Sequence, residues 1–216
     1  MSELSRPVDQ RHLAYLAERC EGDDAFLQDL KAAARAAGLP AISVAPEQAA
    51  LMQVLLRAAG AREVVEVGTL AGYSAIRMAR ALPPGGRVRT IEASPAHAAF
   101  ARAWIARSDV AGSIELHEGL GADVLARLRD GSADAMFLDA DKTSYGVYLD
   151  HALRLLRPGG LVMVDNAFAF GELFAERPRD PEVLAVRAFN ERMAAEARLA
   201  AAIVPIGDGL WVAAKR

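Results

Sequence analysis

Two short stretches carry most of the chemistry this sequence offers. One is "LDADKTSYG", Leu138–Gly146, which follows the apolar run "ADAMF"; the other is "VDN", Val164–Asn166, which follows "GLVM". Asp139 and Asp141 stand two positions apart, so in extended chain they project to the same side, and like charges that close need a cation between or beside them. If both apolar runs are buried strands, Asp139 closes one, and Asp165 with Asn166 closes the next. Neighbouring strands lie about 4.8 Å apart, so the three oxygen donors could meet around one ion. The set holds neither Cys nor His. Two carboxylates with an amide oxygen suit a hard divalent ion, Mg²⁺ first, with Mn²⁺ or Ca²⁺ also fitting, and water or substrate filling the other positions. The competing reading makes Asp141 or Asp165 a cap for the following helix or turn. Lys142 also has two readings: a salt bridge to Asp139 or Asp141, or a general base whose ammonium form a neighbouring dication disfavours.

A second constellation lies upstream. "EVGTLAGYS", Glu66–Ser74, reads as a strand end, a glycine-rich turn and a helix start, in which Gly68 and Gly72 let the backbone come close to a ligand. The spacing is G-x-x-x-G, which is neither the dinucleotide fingerprint nor a P-loop. Glu92 falls 20 residues beyond Gly72, at the end of the next strand, where an acid accepts both hydroxyls of a ribose. Loop and acid together indicate an adenosine cofactor, and leave both a nicotinamide dinucleotide and S-adenosylmethionine open. Glu66 favours S-adenosylmethionine, because a carboxylate repels a pyrophosphate and attracts an amino-acid ammonium group.

These groups need a frame that gathers them. Apolar runs at "REVVEVG", "RVRTIE", "SIELHEG", "ADAMFLD" and "GLVMVDN" read as strands. Between and after them fall helical patterns at about Tyr73–Ala81, Pro95–Ser108, Ala122–Arg129, Ser144–Arg157 and Pro181–Ala197, with three more ahead at about Val8–Arg19, Asp23–Ala37 and Pro46–Ala59. Alternating β and α predicts an α/β fold: a Rossmann-like, doubly wound, mostly parallel sheet with helices on both faces. The tail, "AAIVPI" and "LWVAAK" around Gly-Asp-Gly, predicts a C-terminal antiparallel hairpin and brings the sheet to seven strands. In such sheets ligands bind beyond the carboxyl ends of the strands. Glu66 and Gly68, Glu92, Gly119, Asp139, and Asp165 with Asn166 all fall at those ends.

The bulk properties agree. At 216 residues and 53% hydrophobic the chain suits one domain, residues 1–216, with a helical segment at 1–41 ahead of a core at 42–216. A net charge of −3 argues against a nucleic-acid binder. The start "MSELSRPVDQ" has no apolar core of a secretory signal, and no run is long enough to span a membrane, so a cytoplasmic enzyme is expected. Cys20 stands alone and reads as a small apolar residue. His12, His97, His117 and His151 show no ligand spacing and read as structural or surface groups, and Trp211 reads as core.

Taken in order, "SVAPEQAALMQVLLRAAGAREVVEVGTLAGYSAIRMA", "TIEASP", "EGLGADVL", "FLDADKTSY", "RPGGLVMVDN" and "PIGDGLWVAAK" resemble the metal-dependent class I O-methyltransferases, the caffeoyl-CoA and catechol O-methyltransferase group with its bacterial relatives. The resemblance runs from about Ile42 to Lys215. It implies that Asp139, Asp165 and Asn166 hold the metal and that Lys142 is the catalytic base. Glu66, Gly68, Thr69 and Ser74 match the cofactor loop, Glu92 the ribose acid, Val44 a backbone contact, Gly121 an adenine-side contact and Asp141 a contact to the methionine ammonium. Asp139 also falls at a catalytic and cofactor-contacting position, touching the acceptor oxygens through the metal. The resemblance further implies a homodimer and a small phenolic acceptor with two adjacent oxygens. One stretch departs from the pattern: where the plant enzymes carry a "TLWNG"-like pocket lining, this chain has "AFAFG", Ala167–Gly171, with Ala169 at the tryptophan position and Phe170 at the polar one. A smaller or more apolar acceptor pocket is expected. Two rivals remain at this stage, an NAD-dependent oxidoreductase and a non-catalytic S-adenosylmethionine-binding protein; titration of the two cofactors tests the first, and single-turnover methyl transfer the second.

Overall fold

Side chains along the central strands point with period two to opposite faces, and so to one of two cores. In the computed structural model, which describes residues 8–216, β1 (Glu63–Val67) sends Val64 to one face and Val65 to the other, and β4 (Ala133–Leu138) sends Phe137 to the first face and Met136 and Leu138 to the second. Residues 1–7, most of the polar start read above, lie outside the described residues. The first core is closed by α2 (Ala25–Ala36), α3 (Pro46–Ala58), α4 (Tyr73–Ala79) and α5 (Pro95–Ile105), through Leu27, Leu30, Met52, Leu56, Ile76 and Trp104. The second is closed by α7 (Tyr145–Leu155) and α8 (Pro181–Ala195), through Tyr145, Leu149, Ala152, Phe189 and Met193. Strands buried on both faces are what an α/β layer architecture requires.

The remaining strands are β2 (Arg87–Glu92), β3 (Ile114–Glu118), β5 (Leu156–Val164), β6 (Leu199–Val204) and β7 (Leu210–Lys215), and the sheet order is β3-β2-β1-β4-β5-β7-β6. The first five are parallel; β7 runs antiparallel between β5 and β6. The expected seven-stranded, doubly wound sheet is therefore present, with the final hairpin inserting its second strand against β5. Order reverses between β1 and β4, and the crevice at such a switch point is where open sheets bind ligands.

Helix starts follow their sequence signals. Asp24 caps α2 by accepting from Leu27 N, Ser94 caps α5, and Pro46, Pro95 and Pro181 occupy first helical positions. Several ends move by a few residues from expectation. α1 (Gln10–Ala17) and α6 (Gly121–Ala126) are shorter than their patterns. α7 ends at Leu155 rather than Arg157, and β5 begins at once at Leu156, because Arg157 precedes Pro158 and a residue before proline is pushed out of the helical region. "RPGG" then forms an irregularity, so that Ala133 pairs with Leu156 but Ala135 with Leu161. None of the helices among the described residues is long and apolar enough to cross a membrane.

Candidate active site

At the end of β1 the chain turns so tightly that one position admits only glycine. Gly68 has φ +101, and a Cβ there would lie 2.0 Å from the carbonyl oxygen of Asp139. The loop that follows is held by Glu92 from β2. Its Oε2 accepts the N–H groups of Thr69 at 3.2 Å and Leu70 at 2.8 Å, and its Oε1 accepts Ser94 N at 2.9 Å. A carboxylate read as a ribose acceptor thus also ties the loops after β1 and β2 together, while still facing the cavity.

Glu66 sits differently from expectation. Val44, Gly68, Thr69, Ser74, Glu92 and Gly121 line the cavity; Glu66 is completely buried beneath the loop. The Thr90 hydroxyl donates to its Oε2 at 2.5 Å, while Oε1 has no hydrogen-bond partner among the described residues. Burial, aided by the charges of Asp139 and Glu92, pushes Glu66 up to about 8, against the pull of neighbouring hydroxyls.

The second half of the site gathers at the ends of β4 and β5. The parallel ladder continues past both strands, with Asp139 N donating to Val67 O and Asp165 N to Leu138 O, so Asp139 and Asp165 leave the sheet side by side. Lys142 Nζ donates to Asp139 Oδ1 at 2.9 Å and to the Tyr145 hydroxyl at 2.8 Å. That hydroxyl lies 3.3 Å from the carbonyl oxygens of both Leu138 and Asp165, which seats Lys142 over the two strand ends. Asp165 accepts from Gln48 Nε2 at 2.8 Å, and burial together with the Asp139 charge raises it to about 6. Asn166 takes φ +63, a left-handed conformation that asparagine tolerates better than most side chains. Its Nδ2 donates to Asp208 Oδ2 at 3.1 Å. Asp141 turns to a different partner from Asp139, accepting from the Tyr148 hydroxyl at 2.6 Å.

Both halves face one cavity of about 820 Å³, which Asp139, Asp141, Lys142, Asp165 and Asn166 also line. Among the described residues no three His, Cys, Asp or Glu side chains form a metal-holding group; the set at the strand ends has two carboxylates and an amide instead. Reading the sequence missed several neighbours. His97, grouped with the structural histidines, lines the cavity with Nδ1 3.7 Å from Glu92 Oε1. Tyr145 could have been found three positions after Lys142, one helical turn away. Gln48, Asp208 and Glu182 carried no local signal. In "AFAFG", Ala169 is fully buried and does not line the cavity, whereas Phe170 does, at φ +60 and with its ring 5.9 Å from Lys142 Nζ.

The model of the O-methyltransferase family matches residues 17–216, nearly the whole chain. The chain belongs to the O-methyltransferase family. This O-methyltransferase is 41% identical over 185 residues to a catechol O-methyltransferase of Niastella koreensis, covering 84% of this chain and 83% of that protein. Among solved structures it is similar to the O-methyltransferase from Bacillus cereus in complex with SAH, at 36% identity and a TM-score of 0.86, covering 94% of this chain and 96% of that one. It is also similar to the O-methyltransferase TomG from Streptomyces achromogenes, involved in tomaymycin synthesis and solved in complex with SAM, at 32% identity and a TM-score of 0.85, covering 97% and 99%. Family membership sets the nicotinamide alternative aside.

Proposed function

We propose that this O-methyltransferase moves the methyl group of S-adenosylmethionine onto one hydroxyl of a vicinal dihydroxyphenol. In this reading the chain works as one methyltransferase domain, with a divalent ion, Mg²⁺ first, held by Asp139, Asp165 and Asn166. One observation carries the reading: the glycine loop with Glu92 and the Asp139–Lys142–Asp165–Asn166 cluster open onto the same cavity. Similar structures with SAH and SAM bound support the donor, and the relative named catechol O-methyltransferase supports the acceptor class.

On the donor side, Glu92 accepts the ribose hydroxyls with the capacity its three backbone contacts leave. Gly68, Thr69, Ser74 and Val44 shape the wall for the methionine part, Gly121 lies on the adenine side, and Asp141 accepts from the ammonium. Glu66 supports this from below, buried under the loop and bonded to the Thr90 hydroxyl.

On the acceptor side the donor set fits a hard dication, since it is all oxygen and the charge of Asp139 helps to raise Asp165, a repulsion that a cation relieves. Held by Asp139, Asp165 and Asn166, such an ion would lower the pKa of an acceptor hydroxyl and help to orient the acceptor. Lys142, seated between Asp139 and Tyr145, takes the hydroxyl proton as its neutral amine, and the phenolate oxygen then attacks the donor's methyl group, the new O–C bond forming as the S–C bond breaks and the thioether SAH leaves. Holding both reactants in line accounts for about 7–11 kcal/mol at most of the barrier lowering. Phe170 supplies an apolar wall at this end and favours an aromatic acceptor over a charged one. The assembly proposed is a cytoplasmic homodimer, on the family likeness alone, and sedimentation of purified enzyme tests the dimer.

The deciding experiment is single-turnover transfer of labelled methyl to a vicinal dihydroxyphenol and to its monohydroxy counterpart, before and after chelation. Transfer to the diol alone, abolished by EDTA and restored by Mg²⁺, is expected. Full transfer by metal-stripped enzyme would overturn the metal role, and equal transfer to the monohydroxy compound would overturn the two-oxygen clamp.

A further inference from the structure

The turn of the C-terminal hairpin sits against the strand end that carries Asn166. Ala167 N donates to Gly209 O at 2.9 Å and Phe168 N to Asp208 O at 2.8 Å, so the segment after β5 and the turn before β7 are joined by their backbones. Asp208 Oδ2 then accepts two further bonds, from Asn166 Nδ2 at 3.1 Å and from Phe170 N at 2.7 Å. On the other flank, Gly207 packs so closely on Gln48 that a Cβ would lie 2.0 Å from Gln48 Oε1, and Gln48 is the residue that donates to Asp165. One turn therefore reaches both members of the "DN" pair, Asn166 directly and Asp165 through Gln48.

We propose that Asp208 is a positioning residue that sets the Asn166 amide so that its oxygen, and not its nitrogen, is presented to the cavity. The chemistry is one-sided. An ionised carboxylate only accepts, so the amide atom facing it must be the NH₂ group, and Oδ1 is turned to the opposite side. Without this partner the two ends of an asparagine amide are nearly equal in shape, and the side chain could offer either a donor or an acceptor. A cation needs the acceptor. The same oxygen of Asp208 fixes the backbone of Phe170 in its left-handed conformation, so the ligand oxygen and the apolar wall share one anchor. Outer partners of this kind typically affect metal affinity by 10–100-fold.

This inference rests on the proposed metal role of Asn166, and the test separates the two. Mn²⁺ binding to the purified, metal-stripped enzyme is followed by electron paramagnetic resonance, with S-adenosylmethionine binding by calorimetry on the same samples. Asp208→Ala is expected to weaken Mn²⁺ binding about 10–100-fold while S-adenosylmethionine affinity is kept. Asp208→Asn retains a carbonyl that can accept both bonds, so it should recover affinity towards that of the unaltered enzyme. Unchanged Mn²⁺ binding in Asp208→Ala would overturn the positioning role alone. Equal losses in the two variants would mean that the charge acts and not the orientation, and would also overturn it. Loss of both ligands in both variants would make Asp208 a general prop and overturn it as well. No Mn²⁺ binding by the unaltered enzyme would overturn the metal reading beneath it.

Discussion

The two halves of the cavity are built in different ways. The half proposed for the donor is made largely of backbone: a glycine loop, two loop N–H groups aimed at Glu92, and strand ends that follow one another in sequence. The half proposed for the acceptor is made of side chains: Lys142 is held by its near neighbours Asp139 and Tyr145, but the "DN" pair is held by tethers from far along the chain. Gln48 reaches Asp165 across 117 positions and Asp208 reaches Asn166 across 42. A backbone-built site is rigid because the strand ladder that makes it is rigid. A side-chain site depends on every partner, which makes it sensitive to distant substitutions.

The comparison breaks most sharply at the strand-end acids. Asp165→Ala removes a proposed ligand outright, so turnover should fall by more than the 10–100-fold expected for an outer partner, while calorimetry finds S-adenosylmethionine binding preserved. Equal loss of both ligands would mean that the halves are not separable. Next is Lys142→Ala, for which the loss of a general base predicts a fall of about 10²–10⁴ in kcat with donor affinity unchanged. The pH profile decides this one: an unaltered profile with near-normal kcat leaves Lys142 as only the structural partner of Asp139. On the donor side, Glu92→Gln keeps the shape but exchanges charged acceptors for neutral ones. Hydrogen bonds to charged groups contribute about 1.5–3 kcal/mol, so the donor Kd should rise by about one to two orders of magnitude with Mn²⁺ binding intact.

A further effect concerns stability and not turnover. The ordinary value of 4.5 for Glu66 is raised to about 8 in the fold, mainly by burial. The folded chain therefore keeps a proton that the unfolded chain releases. The stability from that proton is complete below about 4.5 and is lost as pH rises through about 8. The Tm of the ligand-free enzyme should decline between pH 5 and 9, Glu66→Gln should flatten that decline, and a slope identical in the two proteins would show that Glu66 is not its source.

The donor half was largely legible in the sequence. "EVGTLAGYS" and Glu92 are local signals, and the strand that ends each of them is marked by its own apolar run. Even there one placement needed the fold: Glu66 proved to lie under the loop, because period two sends its side chain inward from a strand buried on both faces. The acceptor half was legible only as a list of oxygen donors. Nothing near Asn166 in sequence points to Asp208, and the Gly-Asp-Gly run read simply as a hairpin turn. The departure at "AFAFG" was visible, yet which of its residues faces the cavity depended on left-handed backbone at Ala169 and Phe170.

By itself, then, the sequence determined the alternation of strand and helix, the placing of acids and glycines at strand ends, and so the edge of the sheet where chemistry gathers. Those features depend on neighbours a few residues apart, whose geometry is fixed by the period of strand or helix. Tertiary structure alone decided that β4 and β5 lie side by side, that β7 inserts against β5, and that Gln48 and Asp208 reach the "DN" pair. Such contacts arise from sheet order and helix packing between segments far apart in the chain, and no local period encodes them.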